Sequence, residues 1–415
     1  MTLLTNSNMP TSLNLDTKIL DREKKACFDF FWQEVNTDPE SPGFGLIRDN
    51  DLKSHRNMAS IASNGFGFAA IVIGIENGYI SREAGQARVS GALKTFLYQA
   101  EHFQGFFYHF LDLENAKKYQ ASYDCPSIID TSILLNGMIV VAEYFAGEIQ
   151  SLVNEIYARV NWQSYVNPET NCFYMGVREE TGGFGAWDVY AEQLMQYLLG
   201  AASPTYPISE KVYDSFSRKK VSYNGYEFMT APRNALFTHQ YSHAFFDFSS
   251  YLDRDDIDYA ENSRQATLAA QAFAVNNTSK YKSFNAHSWG QSACEGPYGY
   301  RAYGSGYDGK TDEEMEEDGT IAPSAAAGSI VFTPELSIDA MNYMSALPDV
   351  WGKYGLKDAY NFDVLLRYVA SNVIGIDKGV SLLMIENYQT GLIWKLYMQS
   401  EHIQKAIERL GFVKK

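Results

Sequence analysis

Residues 373–394 read VIGIDKGVSLLMIENYQTGLIW. The run has the length and apolar content of a buried helix, and the spacing predicts that helix over 378–398. Two acids interrupt it, Asp377 and Glu386. A carboxylate buried without a partner costs several kcal/mol or shifts its pKa instead. Each acid is therefore satisfied by a structural partner or lines a cavity where an acid acts. About two and a half helical turns separate them, which sets them on opposite sides of a straight helix. Gly375 and Gly379 bracket Asp377 and leave space for a ligand or a water. Asp377 also falls at the N-cap position of the predicted helix. Capping explains an Asp there. A cap beside a cavity also stays ionised, because helix-terminal N–H groups stabilise the anion, and that suits a general base.

Helical periodicity continues outward from this stretch. It predicts helices near 20–36, 57–76, 81–101, 127–146, 148–160, 187–202, 209–221, 237–251, 258–276, 333–347 and 400–412. Ser81 and Ser209 are start signals, and Thr333-Pro334 places proline in a first turn. Between the helices lie loops rich in glycine, aromatics and acids, such as ESPGFGLIRDND and EGPYGYRAYGSGYDGKTDEEMEEDGTIAP. Strands are expected only as short hairpins inside these loops. The pattern is all-α. A dozen helices in one domain can form two concentric rings of six, with long loops gathered at one mouth. A solenoid needs a repeat of fixed length, and none is present. No linker divides the chain, so residues 20–415 are expected to form one domain behind a flexible arm over residues 1–19.

Composition narrows the function. The 415 residues carry a net charge of −16 with scattered Lys and Arg, a poor surface for nucleic acid or anionic membrane. Twenty-nine Tyr and 25 Phe supply both core rings and platforms for flat apolar faces such as sugars present. Cys27, Cys125, Cys172 and Cys294 show no metal or redox spacing. The N-terminal residues lack a secretory pattern, and a cytoplasmic location is expected. Phosphate-loop, dinucleotide and serine-hydrolase motifs are absent.

Further candidates stand beside competing structural readings. Glu192, within GAWDVYAEQLMQYLLG at 185–200, sits among Trp187, Tyr190 and Leu194. In an apolar pocket it would stay protonated near neutral pH, as a general acid must; an exposed helical Glu is the alternative. Asp130 opens an apolar helix and either complements its dipole or binds substrate. His239, His243 and Asp247 recur every four residues, which puts them on one helix face. They lack a zinc-type pattern, so no metal and no cofactor is assigned, and hydroxyl contacts or a packed polar layer are the readings kept. The run TDEEMEEDGT at 311–320 reads as a solvated acidic lip, and the small residues after it permit a close backbone approach.

The ordered series ASIASNGFGFAA, GFFYHFLD, SIIDTSILLNGM, WDVYAEQLMQYLLGAASPTYP, LFTHQYSHAFFDF, WGQSACEGPYGYRAYG, EDGTIAPSAAAGSIVFTPE, YGLKDAYN and GIDKGVSLLMIENYQTGLIW resembles the glycoamylase-like domain family, across residues 25 to 410. The resemblance implies an (α/α)6 barrel. It also implies a likeness to family 144 glycoside hydrolases, which act on β-1,2-glucan or its oligosaccharides. An endo-acting, inverting hydrolase is expected. A sophorose-releasing exo-enzyme, a transglycosylase, an α-glucan hydrolase and a catalytically dead sugar binder are the alternatives. By resemblance Glu192 is the general acid and Asp377 the base, directly or through a substrate hydroxyl. That makes Asp377 the cavity acid and leaves Glu386 structurally satisfied or reaching in from below. Asp112, Asp130, Trp187, Tyr190, His239, His243, Trp289, Tyr303 and Glu386 are the expected substrate contacts, with Trp289 and Tyr303 stacking on glucose. Cys125 and Ala191 depart from the family pattern, which bears on subsites.

Overall fold

Ser60, Ser81 and Ser127 each stand in extended backbone and accept the N–H three residues ahead, from Ser63, Ala84 and Asp130. Each hydroxyl satisfies one of the donors that a helix start leaves open, so three helices begin where the serines stand. The computed structural model describes residues 15–119 and 125–415. Its helices in chain order are α1 (Lys18–Gln33), α2 (Ile61–Glu76), α3 (Arg82–Tyr98), α4 (Ile128–Phe145), α5 (Gly147–Ala158), α6 (Leu194–Ala202), α7 (Glu210–Tyr213), α8 (Tyr259–Asn276), α9 (Asp312–Met315), α10 (Pro323–Gly328), α11 (Pro334–Ala346), α12 (Gly375–Thr390), α13 (Leu392–Gln399) and α14 (Glu401–Leu410). The sheets among the described residues are two-stranded antiparallel pairs.

The inner helices pack through missing side chains. A Cβ on Gly137 of α4 would stand 1.8 Å from the Gly65 carbonyl oxygen of α2, and one on Gly65 would stand 2.3 Å from the Ile133 oxygen. The two backbones are therefore in direct contact, a distance only glycine permits. α12 closes on α2 with its backbone against side chains. A Cβ on Gly375 would meet Ser63 Oγ at 2.1 Å, and one on Gly379 would meet Phe66 Cγ at 2.2 Å. These two glycines hold no space for a ligand; the side chains of α2 occupy it.

Contacts pass from α2 to α4, from α4 to α6, from α10 to α12 and from α12 back to α2. The gap between α6 and α10 is filled by residues 236–247. Ser242 there donates to the Glu192 carbonyl at 2.6 Å and accepts the Met195 N–H at 3.1 Å, and Gln240 donates to the Ala325 carbonyl at 2.8 Å. Six elements thus meet in a closed circuit. Outside it, α1 lies on α2 and α12, α5 on α4, α14 on α6, and α11 on α10. One apolar core runs through both layers, from Ile19 to Phe412. α4 is long and apolar enough to span a membrane, yet 78% of its apolar window is buried inside the protein, as an inner helix requires.

Several expected boundaries shift. The arm expected over residues 1–19 lies outside the described residues up to position 14, and α1 already begins at Lys18. The helix expected over 378–398 begins earlier, breaks at Gly391 and resumes as α13. The helix expected over 187–202 begins only at Leu194. Upstream, Gln193 accepts the Ala191 N–H and donates to the Val189 carbonyl, diverting those groups from a helical ladder. The helix expected over 237–251 is two 3-10 turns, Leu236–His239 and Phe248–Ser250, joined by irregular turns. Trp394 and Asn387 take the carbonyls of His243 and Ala244 by side-chain hydrogen bonds. The helix expected over 209–221 shrinks to α7. Residues 220–229 form a hairpin on Asn224-Gly225, both at positive φ, the turn such a dipeptide favours.

Gly137→Ala should be strongly destabilising, by about 3 kcal/mol or by failure to fold, because neither backbone can retreat. Urea denaturation beside Gly78→Ala, which meets no atom within 4 Å and carries only the left-handed strain of its φ of +70°, about 1 kcal/mol, checks this.

Candidate active site

The starts of α2, α4 and α12 and the turn before α6 open on one cavity of about 390 Å³. Ser60, Asp130, Ile376 and Glu192 line it from these four elements, with Asp49, His109, Glu295 and Tyr300 added by loops. Three helix N-termini point at it, and their partial positive charge favours carboxylates there. A second cavity of about 680 Å³ also touches Glu192 and is lined by Trp187, Asp188, Arg233 and Lys310. Glu192 and Phe237 line both. Both volumes are in the range of small-ligand sites.

Glu192 stands on the turn before α6, with its backbone clamped by Ser242. Burial raises its carboxyl to about 7, and the nearby Asp130 charge adds to the shift. Near neutral pH it is therefore a proton donor for part of the time, the state a general acid needs. Asp130 receives the Ser127 hydroxyl at 2.5 Å and lies 3.6 Å from His109 Nε2.

Asp377 is not the N-cap of its helix. Ile374 holds that position and Asp377 lies in the first turn, buried behind the cavity wall that Ile374 and Ile376 form. The start of α12 is fastened to the loop at 49–51. The Asp49 carbonyl accepts the Gly375 N–H at 2.7 Å, and the Asp51 carboxylate accepts the Val373 N–H at 2.9 Å. Asp377 Oδ1 accepts from Ser324 of α10 at 3.2 Å. Burial, then the charge of Asp358, pushes its carboxyl well above the ordinary range. The Tyr241 phenol, on the cavity wall, feels the charges of Asp377, Glu192 and Asp130 together.

Of the remaining expected contacts, Trp187 lines the second cavity beside Glu192, and the others lie elsewhere. Trp289 and Tyr303 are fully buried and line neither cavity; Tyr303 fills the space under Gly296, where a Cβ would be 1.9 Å from its hydroxyl. The exposed rings are Tyr298 and Tyr300 on the hairpin above them. Tyr190 packs parallel to Tyr259, ring centres 5.9 Å apart. His239 bonds Asn234 at 3.0 Å and His243 bonds Ser263 at 3.1 Å; burial pulls both imidazoles down to about 3, so they are neutral. The two histidines belong to the packed polar layer. Asp247 caps its own 3-10 turn. Asp112 accepts the N–H groups of Glu114 and Asn115 at 3.0 Å and shapes a turn. Glu386 pairs with Lys24 at 3.1 Å and accepts from Thr390 and Asn77 at the far end of α12. Among the described residues, no group of three His, Cys, Asp or Glu side chains is placed to hold a metal. In the acidic run at 311–320, Glu317 is buried and accepts the Gly319 N–H at 2.6 Å, so the run is only partly a solvated lip.

Asp49, His109, Tyr241, Glu295, Tyr300 and Asp358 were not singled out by sequence. All lie inside motifs or loops quoted above, yet nothing in spacing marks a loop acid as cavity-facing.

The chain belongs to the Glycoamylase family, described as "Putative glucoamylase", whose model matches residues 185–401. It is 26% identical to an exo β-1,2-glucooligosaccharide sophorohydrolase (non-reducing end) of Parabacteroides distasonis, over 96% of this chain and 58% of that protein. The chain thus spans little more than half the length of that relative. An endo-β-1,2-glucanase from Chitinophaga pinensis, solved with sophorotriose and glucose, superimposes with a TM-score of 0.85 at 27% identity, covering 97% of this chain and 99% of that one. A β-1,2-glucanase from Parabacteroides distasonis does so with 0.84 at 26%, covering 95% and 60%.

Glu386→Ala should cost about 3 kcal/mol or more, since Lys24 is left buried without its counter-charge. The KM of the folded protein should be unchanged. Denaturation and kinetics on one preparation check both.

Proposed function

We propose that the protein is a glycoside hydrolase that cleaves β-1,2-glucosidic bonds in β-1,2-glucan or its oligosaccharides. The observation that carries this reading is Glu192, a carboxyl raised to about 7 where two cavities meet. Likeness along nearly the whole chain to enzymes named for β-1,2-glucan directs the choice of linkage. The closed circuit of six inner elements with helices outside it supports an (α/α)6 barrel as the frame.

In this reading the glucan lies through both cavities with its scissile bond at Glu192. Glu192 protonates the leaving glycosidic oxygen. Water attacks the anomeric carbon from the opposite face, and its proton passes to Asp377 by relay, a substrate hydroxyl being the first carrier. A water activated between the base and the anomeric carbon gives inversion, which calls for two carboxyls about 6.5–9.5 Å apart. Two cavities that share Glu192 leave room for more than one sugar at it and favour endo action. The relative named as a sophorohydrolase supports the second reading, release of sophorose from a chain end.

Product analysis on linear β-1,2-glucan, with β-1,3-, β-1,4- and α-1,4-glucans beside it, tests the reading. Cleavage of the β-1,2 polymer alone is expected, with activity lowered at least about a hundredfold in Glu192→Gln. Turnover of α-1,4-glucan instead would overturn the linkage. Glu192 must carry its proton to act, so kcat/KM should fall as pH rises through about 7. A profile flat between pH of about 6 and about 9 would remove Glu192 from the acid's role.

A further inference from the structure

Asp377 lies behind the wall that Ile374 and Ile376 form, so a proton released in the cavity meets another group first. Four carboxyls do line that cavity, those of Asp49, Asp130, Glu192 and Glu295. Glu192 holds the acid's place. Asp130 has both oxygens engaged, Oδ2 by the Ser127 hydroxyl at 2.5 Å and Oδ1 facing His109 Nε2 at 3.6 Å. Glu295 stands on the hairpin of Ala293–Gly296 and Gly299–Ala302, across from the exposed Tyr300. Its hydrogen bonds beyond the hairpin, among the described residues, are those of its backbone to Asp358 and Tyr368.

Asp49 is the carboxyl left, and the surrounding structure fixes it. Its N–H donates to the Met58 carbonyl at 3.0 Å, and its carbonyl accepts the Gly375 N–H at 2.7 Å, which pins it to the first residue of α12. Asn50 orients the side chain. Asn50 Oδ1 accepts the Leu52 N–H at 3.0 Å, so Nδ2 is the donor, to Asp49 Oδ2 at 2.8 Å and to His55 Nδ1 at 3.3 Å. Asn50 is buried, and both amide hydrogens are engaged. Asp49 Oδ1 is left without a protein donor among the described residues, on a carboxyl that lines the cavity. In the circuit of six inner elements, α12 is third from α6 in either direction. Asp49, fastened to α12, therefore stands across the cavity from Glu192, which precedes α6.

We propose that Asp49 is a catalytic residue of the hydrolysis, the group on the cavity wall that first receives the proton released by the attacking water. The proposal rests on the reading of Glu192 as the acid. The water oxygen bonds to the anomeric carbon as that carbon's bond to the glycosidic oxygen breaks. The leaving oxygen takes the Glu192 proton. The water's proton passes through the substrate hydroxyl to Asp49 Oδ1. Asp49 ends protonated and Glu192 ionised, and exchange with solvent resets both. Burial raises the Asp49 carboxyl above its ordinary value, against the Asn50 hydrogen bond and the charges of His109 and His55, and so makes it a readier proton acceptor.

The test compares the wild type with Asp49→Ala, Asp49→Asn, Asp377→Ala and Glu192→Gln. The substrates are β-1,2-glucan and dinitrophenyl β-sophoroside, with and without sodium azide. Azide attacks without a base, and the dinitrophenyl group leaves without an acid. Asp49→Ala should lose about a thousandfold in kcat on both substrates with KM within about threefold, and azide should restore at least about tenfold. The product should then be the α-glycosyl azide. Glu192→Gln should recover on the dinitrophenyl substrate alone. A raised KM with kcat kept in Asp49→Ala would make Asp49 a substrate contact only, and overturns the proposal. Loss without azide rescue in the folded variant marks a structural role and overturns it too. So does azide rescue of Asp377→Ala but not of Asp49→Ala. If Asp49→Ala fails to fold, Asp49→Asn decides: kcat lost with KM kept supports the proposal, and kcat kept overturns it. A wild type that leaves both substrates intact removes the functional reading and the proposal with it. An active wild type beside a fully active Asp49→Ala removes the proposal alone.

Discussion

The structure depends on the close approach that glycines allow between its inner helices. Gly65 and Gly137 let α2 and α4 touch, and Gly375 and Gly379 let α12 close on α2. Close contact fixes where each helix begins relative to the next. Asp130 and Asp377 both occupy first turns, so fastening α2, α4 and α12 together brings their N-termini and Asp130 to one cavity, with Asp377 buried just behind its wall. The glycines are remote from chemistry in sequence logic, yet they set its geometry.

The same helix shows how burial sorts acids by their partners. At one end of α12, Glu386 meets Lys24, Asn77 and Thr390, and its charge is compensated. At the other end, Asp377 meets a hydroxyl, a second carboxyl and no free cation. A compensated buried ion holds structure; an uncompensated one holds or releases a proton. Glu192 belongs to the second kind, and its neighbour Asp130 strengthens the effect.

Much of the frame was legible because it rests on local rules. Apolar runs located α2 and α4 within a few residues, and Ser81 with its apolar run located α3. The Asn224-Gly225 turn was equally legible, but the helical period read across 209–221 ran into its first strand. Residues 236–250 could not be read locally. Their periodicity is helical, and it is side chains of α12 and α13, about 150 residues away, that take their carbonyls. The histidine face inferred there dissolved with the helix. Aromatic rings misled for a related reason: sequence does not separate Trp289 and Tyr303, beneath the hairpin, from Tyr298 and Tyr300 on its surface.

The sequence by itself determined a helical chain, loops dense with acids and aromatics, and two acids set in apolar runs, because hydrophobic period and capping act over a few residues. Only the tertiary structure decided which acids share a cavity, that Glu386 is paired, that Asp358 stands against Asp377, and that Gly375 and Gly379 are filled by a neighbour. Desolvation and charge coupling depend on what surrounds a group in space, and those surroundings come from segments far apart along the chain.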